Sequence, residues 1–374
     1  GEGESLLLRC LSVEEKCIEE VIMAVELASE AIKARLAARR REEFMRLLRT
    51  TRIAWMYIAP AGLLMLVISF FPQIFQVWMA FTDFRIGNLR FNLFIPETWE
   101  RFAPKFVGLE NFVKIITSTI AIENYNFGRL LLFNVTWTVV NVFFHVTLGV
   151  LIALALNSKD LIGRKVYRAL FVLPWAIPSY ITALTWRNMY DDRFGAINQL
   201  MAAINHWLGT SLPTDTRWLQ ATTPPIGGPL SFLPLAFYAV LLANVWLGWP
   251  FMTVVATGAL QSIPAELYEA AAIDGASGWQ QFRYITLPMI RPAMVPAIML
   301  GTIWTFNNFN VIYFISKGEP FGRTEILVTQ AFKLVYEQRL YGLAAAFSIV
   351  VFVILLVITL INNRITRATE AYSV

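Results

Sequence analysis

Polar side chains interrupt several long apolar runs of this sequence, and their types suit hydrogen bonding to a hydroxyl-rich solute. Trp304 and Asn308 are one helical turn apart, which would place an aromatic face and an amide on one side of a helix. That pair suits stacking against a sugar ring and hydrogen bonding to its hydroxyl groups. The polar positions inside apolar runs are Asn134, Asn141, His145, Asn244, Thr305, Asn307, Asn308 and Asn310.

The same polar residues have a structural alternative. An amide or imidazole in an apolar segment can hydrogen-bond a neighbouring helix instead of a solute. For His145 alone we favour this structural interpretation. The concentration of polar residues from 304 to 310 favours a solute pathway there.

A second feature is the segment EAAAIDGASGWQQFRYITLP, residues 269–288. Pro264 marks a helix start, residues 266–273 contain no helix breaker, and Gly275 marks a stop. Ser277 followed by Gln280 is a capping-box pattern, which opens a second helix predicted to end before Pro288. The small side chains of residues 270–272 permit close approach of another surface, so the sequence predicts a helix-turn-helix held by a partner.

This helix-turn-helix has two other interpretations. A DNA-reading motif is disfavoured, because residues 261–288 contain one arginine, Arg283, and cannot easily neutralise several phosphates. A re-entrant connector without a partner stays open on spacing alone.

Six segments are long enough to span a membrane. Hydrophobic residues make up 57% of the 374 residues and charged residues 15%, and a spanning helix needs about 20 apolar residues. Pro174 and Pro178 could break the third segment, and Pro292 and Pro296 the fifth. The predicted spans are 54–81, 130–156, 166–189, 230–260, 289–315 and 343–361.

Charge predicts the orientation of these spans. Eight Lys or Arg residues lie between Lys33 and Arg52, so residues 1–52, an amphipathic helical segment, are predicted to be cytoplasmic. The loop 157–166 contains Lys159, Arg164 and Lys165, and Arg364 and Arg367 lie near the end of the sequence. These charges agree with six spans, whereas the cytoplasmic side of the segment 261–288 follows from counting the spans.

Cys10 and Cys17 are interpreted as structurally incidental. The predicted regions are 1–52, 53–129 (first span and external loop), 130–368 (core permease domain) and 369–374 (cytoplasmic tail), with external segments 82–129, 190–229 and 316–342.

The segment from Glu269 to Pro288 resembles the EAA signature of binding-protein-dependent ABC importers. That signature is EAA, three residues, Gly, nine residues, Ile, one residue, Leu-Pro. Every element is present: Glu269, Ala270, Ala271, Gly275, Ile285, Leu287 and Pro288. The resemblance implies a cytoplasmic coupling helix held in a cleft of an ATP-binding subunit, with Glu269, Ala270, Ala271, Asp274 and Gly275 as its coupling residues.

Further blocks narrow the resemblance to carbohydrate importers of the MalF type, which carry maltose, maltodextrin or trehalose. These blocks are residues 163–190, 244–252, 306–313 and 341–351. The resemblance implies an all-α integral membrane protein, a six-helix type I importer permease bundle, in the inner membrane of a prokaryote. It also implies as partners a second, MalG-like permease, a homodimer of ATPase subunits and an extracytoplasmic sugar-binding protein.

The resemblance also implies a sugar site on the fourth and fifth spans. Four positions depart from the maltose member: Phe251 replaces a tyrosine, Trp304 a phenylalanine, Thr305 an asparagine and Gly301 a serine. Hydrogen bonds are thereby lost and aromatic area is gained, which leaves the preferred sugar open. The implied substrate-binding residues are Asn244, Leu247, Gly248, Phe251, Gly301, Trp304, Thr305 and Asn308.

The sequence predicts that transport energy comes from another subunit. The chain contains no GxxxxGK[ST] phosphate-binding loop, and the spans have no Asp, Glu, Lys or Arg in their interiors to couple ion flow. We therefore expect no catalytic residues, metal or cofactor in this chain, with ATP and Mg²⁺ on partner subunits. Alternatives are an ABC permease for a non-sugar solute and, further away, a channel, receptor-like protein or secondary transporter; no internal repeat supports the last.

Overall fold

The computed structural model describes residues 51–90, 95–120, 122, 124–158 and 161–366, together with residues 39, 42 and 44–46. Most of the predicted amphipathic segment 1–52, both cysteines, Lys159 and the tail from Arg367 onward lie outside these residues. The chain divides into one unit ending at Phe75 and a second unit from Gln76 onward. The second unit contains every site described below.

The regular secondary structure of the described residues is helical, apart from one isolated β-bridge between Thr82 and Phe106. Residues 51–65 are α-helical and lead through a π-helical turn, Leu66–Phe70, into the first labelled helix. The labelled helices are α1 (Phe71–Ala80), α2 (Trp99–Phe102), α3 (Glu110–Ile116), α4 (Phe127–Asn157), α5 (Arg164–Ala176), α6 (Ser179–Met189), α7 (Ala196–Leu208), α8 (Leu235–Gln261), α9 (Ala265–Ile273), α10 (Gly278–Gln281), α11 (Leu287–Phe306), α12 (Phe309–Ile315), α13 (Leu327–Tyr336) and α14 (Tyr341–Thr366).

Five helical stretches of the described chain are long and apolar enough to cross a membrane, and a sixth crossing results if a bent helix pair counts as one span. Each corresponds to one predicted segment, which confirms the all-α membrane bundle. The stretches are Phe44–Ala80, Phe127–Asn157, Leu235–Gln261, Gly278–Ile315 and Tyr341–Arg364, with Arg164–Ala176 and Ser179–Met189 as the bent pair.

The third span is not one continuous helix, as the range 166–189 implied. It consists of α5 and α6, which meet at an angle of 87°. Pro174 lies inside α5, so the break comes later, at Ile177 and Pro178. Ile177 is extended (φ −79°, ψ 133°) because the ring of a following proline disfavours the helical conformation in the preceding residue.

The fifth span breaks at a different place from the one its prolines suggested. Pro292 and Pro296 both lie within α11, which continues to Phe306. The break falls at Asn307 and Asn308, and the Asn308 side chain caps α12 by accepting from the amide of Val311. The chain leaves the helix where a polar side chain can replace the missing backbone partners.

The second helix after the turn does not end before Pro288, contrary to prediction. α10 continues through a π-helical turn, Phe282–Thr286, directly into α11. In that wide turn the amide of Leu287 donates to the carbonyl oxygen of Phe282. Pro288 then occupies the first turn of α11, where the absence of an N–H costs little.

The centre of the bundle is formed by α4 packed along α8, with α11 against both. Gly149 allows this approach, because a Cβ there would lie 2.5 Å from the Cβ of Met252. A buried cluster around Met252, Ala256 and Ile290 joins the three helices. The bundle therefore has a rigid centre on which the broken third and fifth spans are placed.

The segments that were predicted to be external contain short helices. These helices are α2, α3, α7 and α13. Asn111 of α3 donates to the carbonyl oxygens of Ala80 and Thr82, each at 2.9 Å, which fixes α3 at the end of the first span.

Candidate functional site

The two broken spans and α8 enclose a cavity of about 570 Å³. All eight residues predicted to bind a solute line it, so the structure brings the whole predicted set together. The broken third span adds residues that the sequence analysis did not select, and Asn307 and Asn310 line the cavity as well. The added third-span residues are Trp175, Ala176, Ile177, Pro178 and Ser179.

Three aromatic side chains lie side by side in the cavity. The ring centroids of Trp175 and Phe251 are 6.0 Å apart, and those of Phe251 and Trp304 are 5.4 Å apart. Trp175 and Trp304 are 51% and 50% exposed, so about half of each indole remains available to a bound molecule. Flat apolar faces of this kind can pack against the C–H groups on the less polar faces of sugar rings.

The pairing of Trp304 with Asn308 differs from the sequence prediction. The two residues do not share one helix, because α11 ends at Phe306 and Asn308 caps α12. Both line the cavity nonetheless. The break turns the backbone at Asn307 and brings the amide to the cavity from a separate element.

Three asparagines form a chain of hydrogen bonds across the bundle. Asn308 donates from Nδ2 to Oδ1 of Asn244, and Asn244 donates from Nδ2 to Oδ1 of Asn141, both at 2.7 Å. Asn141 donates in turn to the carbonyl oxygen of Trp137. Asn244 is 2% exposed and both of its side-chain polar atoms are bonded, so in this conformation it orients Asn308 and offers little surface to a solute.

His145 and Gly248 shape the wall of the cavity together. The Nε2 atom of His145 is 3.0 Å from the carbonyl oxygen of Asn244, which satisfies the imidazole within the bundle. A Cβ at Gly248 would overlap the imidazole ring, so only glycine leaves room for it. The structural interpretation of His145 therefore agrees with its bonding, although the residue also lines the cavity.

Gly301 and Thr305 lie on the α11 wall of the cavity and are almost fully buried. A Cβ at Gly301 would be 2.6 Å from the Cε atom of Met252, so the glycine makes room for that side chain. The carbonyl oxygen of Thr305 accepts from the indole of Trp137 at 3.1 Å. These residues support the wall, and the accessible side chains of the predicted set are those of Phe251, Trp304 and Asn308.

The segment 265–281 lies apart from the cavity and forms the predicted helix, turn and capped helix. The amide of Ala276 donates to the carbonyl oxygen of Ala271 and that of Gly275 to Ala272, which closes the end of α9. Gly275 has φ +80°, a conformation that glycine adopts without strain. Ser277 and Gln280 make the reciprocal capping box.

The exposed face of this segment extends beyond the predicted coupling residues. Glu269, Ala270, Asp274 and Gly275 are exposed, and Ala271 is half-buried. Large apolar side chains around them are also exposed, which composition alone did not reveal; they are Ile273 (86%), Trp279 (66%) and Tyr284 (71%).

Tyr268 fixes the segment on the bundle. Its hydroxyl lies 2.9 Å from Oγ1 of Thr286, and its ring packs with Ile285 on the cluster of α8 and α11. A rigidly attached helix with an exposed apolar face has the character of a contact surface.

Comparison with known proteins identifies the family. Residues 145–370 match the family described as "Binding-protein-dependent transport system inner membrane component". The galactooligosaccharides transport system permease protein of Bacillus subtilis (strain 168) is 34% identical over 315 residues, covering 83% of this chain and 69% of its own length. The trehalose/maltose transport system permease protein of Thermococcus litoralis is 34% identical over 319 residues, covering 85% of this chain and 95% of its own length.

The fold is also found among solved structures. A chain in the crystal structure of a bacterial ABC transporter involved in the import of the acidic polysaccharide alginate has a TM-score of 0.67 at 21% identity, covering 87% of this chain and 100% of its own length. The helical bundle, the two broken spans and the exposed segment 265–281 are thus accompanied by a family match over more than half of the chain. This chain belongs to the family of inner membrane components of binding-protein-dependent transport systems, as a multi-pass permease subunit of an ABC importer.

Proposed function

We propose that this permease subunit translocates a di- or oligosaccharide of the maltose, maltodextrin or trehalose class by alternating access. The observation that carries the proposal is the cavity, in which Trp175, Phe251 and Trp304 offer aromatic faces beside the Asn308 amide. Aromatic faces with a few placed amides match the alternating apolar and hydroxyl surfaces of a sugar. The names of its relatives, which include galactooligosaccharide and trehalose/maltose permeases, support the same solute class.

ATP is hydrolysed by a separate pair of ATPase subunits, which bind the nucleotide and Mg²⁺. Glu269, Ala270, Ala271, Asp274 and Gly275 contact an ATPase subunit and transmit its movement to the bundle. Support comes from the exposure of this segment and from its attachment through Tyr268 to Thr286, at the start of α11. α11 in turn lines the cavity, so one continuous helix joins the contact surface to the solute site.

The remaining partners are a second permease similar to this one and an extracytoplasmic sugar-binding protein. The N-terminus and the segment 261–288 face the cytoplasm, while α3, α7 and α13 lie outside. The excess of Lys and Arg before the first span supports this orientation.

Transport by the complete complex in lipid vesicles tests the solute class. We expect labelled maltose, trehalose or maltodextrins to accumulate in an ATP-dependent manner and to stimulate ATP hydrolysis when the binding protein is present. Amino acids serve as the non-sugar comparison. Accumulation of a non-sugar solute, with no response to any of these sugars, would reject the sugar proposal and leave the family assignment intact.

A further inference from the structure

A groove of about 270 Å³ lies on the bundle between α5 and α8, away from the solute cavity. Most of its lining is apolar, with Phe171 and Val172 from α5 and Val254 from α8. Val254 is 49% exposed, so the groove opens to the outer surface of the chain. Arg168 is the one charged residue among the described residues that line it.

Arg168 is incompletely satisfied by this chain. With the Gln261 amide oriented so that its oxygen faces the guanidinium, that oxygen accepts from Nη1 and Nη2 of Arg168 at 3.1 and 3.0 Å. Nε of Arg168 is buried and has no hydrogen-bond partner within the described part of the chain. None of the ion pairs among the described residues includes this arginine. A guanidinium in the second turn of a membrane helix is costly without a counter-charge, so this position favours an anionic group.

The surroundings of Arg168 add further positive charge. Arg164 and Lys165 lie one turn earlier, at the start of α5. That helix begins after Gly163 without a side-chain cap and has no acidic residue in its first turn. The positive end of the helix dipole and three cationic side chains therefore favour an anion at this place.

We propose that this groove binds an anionic phospholipid. The phosphodiester pairs with the guanidinium of Arg168, and an acyl chain lies along Phe171, Val172 and Val254. The combination of a cationic end and an apolar, outward-open channel matches the two parts of a lipid, whereas a free anion would use only the first. Gln261, which accepts from Arg168, is the last residue of α8, and α9 begins at Ala265. In the orientation proposed above, on which this inference rests, the lipid therefore belongs to the inner leaflet.

Lipid binding by the assembled transporter tests the proposal. The complex is purified in detergent, and binding of fluorescent phosphatidylglycerol is measured with phosphatidylcholine as the uncharged comparison. We expect Arg168→Gln to weaken phosphatidylglycerol binding roughly fivefold, the effect of one basic side chain at a lipid surface. Val254→Trp, which fills the apolar part and keeps the charge, should also weaken binding. Arg187→Gln, in α6 of the same span and outside the groove, is the matched control and should bind normally.

Three results would overturn the lipid assignment. One is unchanged phosphatidylglycerol binding in both groove variants. Another is displacement of the lipid by inorganic phosphate at the same site, which would indicate a free-anion site. The third is protection of a Val254→Cys variant from a membrane-soluble maleimide by the other subunits, which would show that protein covers the groove. Because binding is measured without transport, a wrong sugar assignment would leave each of these results interpretable.

Discussion

Among single side chains, Trp175 is a cavity residue that the structure identifies and that was not in the predicted set of solute-binding residues. Its indole lies 6.0 Å from the ring of Phe251 and is 51% exposed. We expect Trp175→Ala to raise the apparent KM for sugar uptake by up to about tenfold, because one aromatic stacking contact contributes roughly 0.5–1.5 kcal/mol. Trp175→Phe should retain much of the affinity. The measurement is initial uptake in vesicles, and Trp207→Ala, on the exposed face of α7, is the control.

A substitution at Asn244 distinguishes a supporting role of this residue from direct contact with the solute. Asn244→Leu removes the acceptor of Asn308 and the donor to Asn141, and each buried group left unpaired costs about 1–3 kcal/mol. We therefore expect a lower thermal unfolding midpoint of the purified complex together with reduced uptake. A variant with lost uptake and an unchanged midpoint would instead make Asn244 a direct sugar ligand.

Glu325 lies outside the membrane spans, and its buried carboxyl should make the stability of the folded chain depend on pH. Burial raises the pKa of its carboxyl above the ordinary 4.5, against the opposing effect of the Lys333 ammonium with which it pairs. Glu337 also raises this pKa and Arg129 lowers it. The unfolded chain releases the proton at the ordinary value and the folded chain only at the raised one. Stability from this group is therefore present at low pH and falls as pH rises above 4.5 through the raised pKa.

The measurement is the thermal unfolding midpoint of the complex across that pH range. We expect Glu325→Gln, which cannot ionise, to flatten the fall. Glu337→Gln is the control and should keep most of the fall, because Glu337 is exposed and lines the same surface pocket as Glu325, separate from the solute cavity. An equal slope in the wild type and in Glu325→Gln would refute the role of this carboxyl.

At the scale of elements, Gly275 determines how α9 ends. A β-branched residue at φ +80° is strained, so Gly275→Val should loosen the turn that presents the coupling residues. We expect sugar-stimulated ATP hydrolysis by the complete complex to fall severalfold while the subunits still co-purify. Gly278→Ala is the matched control, because a Cβ there meets nothing within 4 Å and the position is helical. Equal hydrolysis in the two variants would remove the turn from the coupling mechanism.

The elements that follow local rules could be predicted from the sequence. Pro264, Gly275 and the Ser277–Gln280 capping box act within one turn of chain, and all three have the predicted roles. The six apolar stretches could also be predicted from the sequence, because the thickness of the bilayer sets their length.

The breaks in the third and fifth spans depend on tertiary contacts and were only partly predicted. Four prolines were candidates, yet α5 contains Pro174 and α11 contains Pro292 and Pro296. A proline in a bundle is tolerated where neighbouring helices compensate the lost hydrogen bond, and a single sequence does not show which neighbours exist. The real break at Asn308 is stabilised by Asn244, which is 64 residues away.

The same reasoning explains which site residues were missed. The blocks of spans four and five pointed to Trp304 and Phe251, whereas Trp175 lines the cavity from α5, two residues before the break at Ile177 and Pro178. Its signal in the sequence was the pattern Pro174-Trp175-Ala176-Ile177-Pro178, two prolines around an aromatic residue in an apolar span. Such a pattern indicates a broken helix with a side chain near the break.

At the scale of the whole molecule, the broken spans and the coupling segment form one connected unit. Asn310 of α12 donates to Oγ of Ser179 at the start of α6, so the two half-helices are joined beside the cavity. α11 joins the same cavity to Thr286 and Tyr268. In the mechanism proposed above, a movement of the segment 265–281 would reach the cavity through α11, and would then reach α8 through Asn308 and α6 through Asn310.

The proposed orientation is the property of the whole chain that is simplest to test. Ile273, the last residue of α9, is 86% exposed, and Trp207 in α7 is 83% exposed. Single cysteines at these two positions, in a chain whose Cys10 and Cys17 are replaced by serine, place one probe on each proposed side of the membrane. An impermeant maleimide added to right-side-out vesicles should label Trp207→Cys and leave Ile273→Cys unlabelled, and inside-out vesicles should reverse the pattern.

Both cysteines must label fully in detergent, which establishes that each is reactive once the membrane no longer separates it from the reagent. The orientation was inferred from an excess of Lys and Arg before the first span, whereas the segment 261–288 contains a single arginine and was placed by counting. Labelling of both cysteines from the same side would show that the chain does not cross the membrane an odd number of times between residues 207 and 273. Since α8 is the one apolar helix in that interval of the described chain, such a result would contradict its assignment as a complete span and with it the path from coupling segment to cavity.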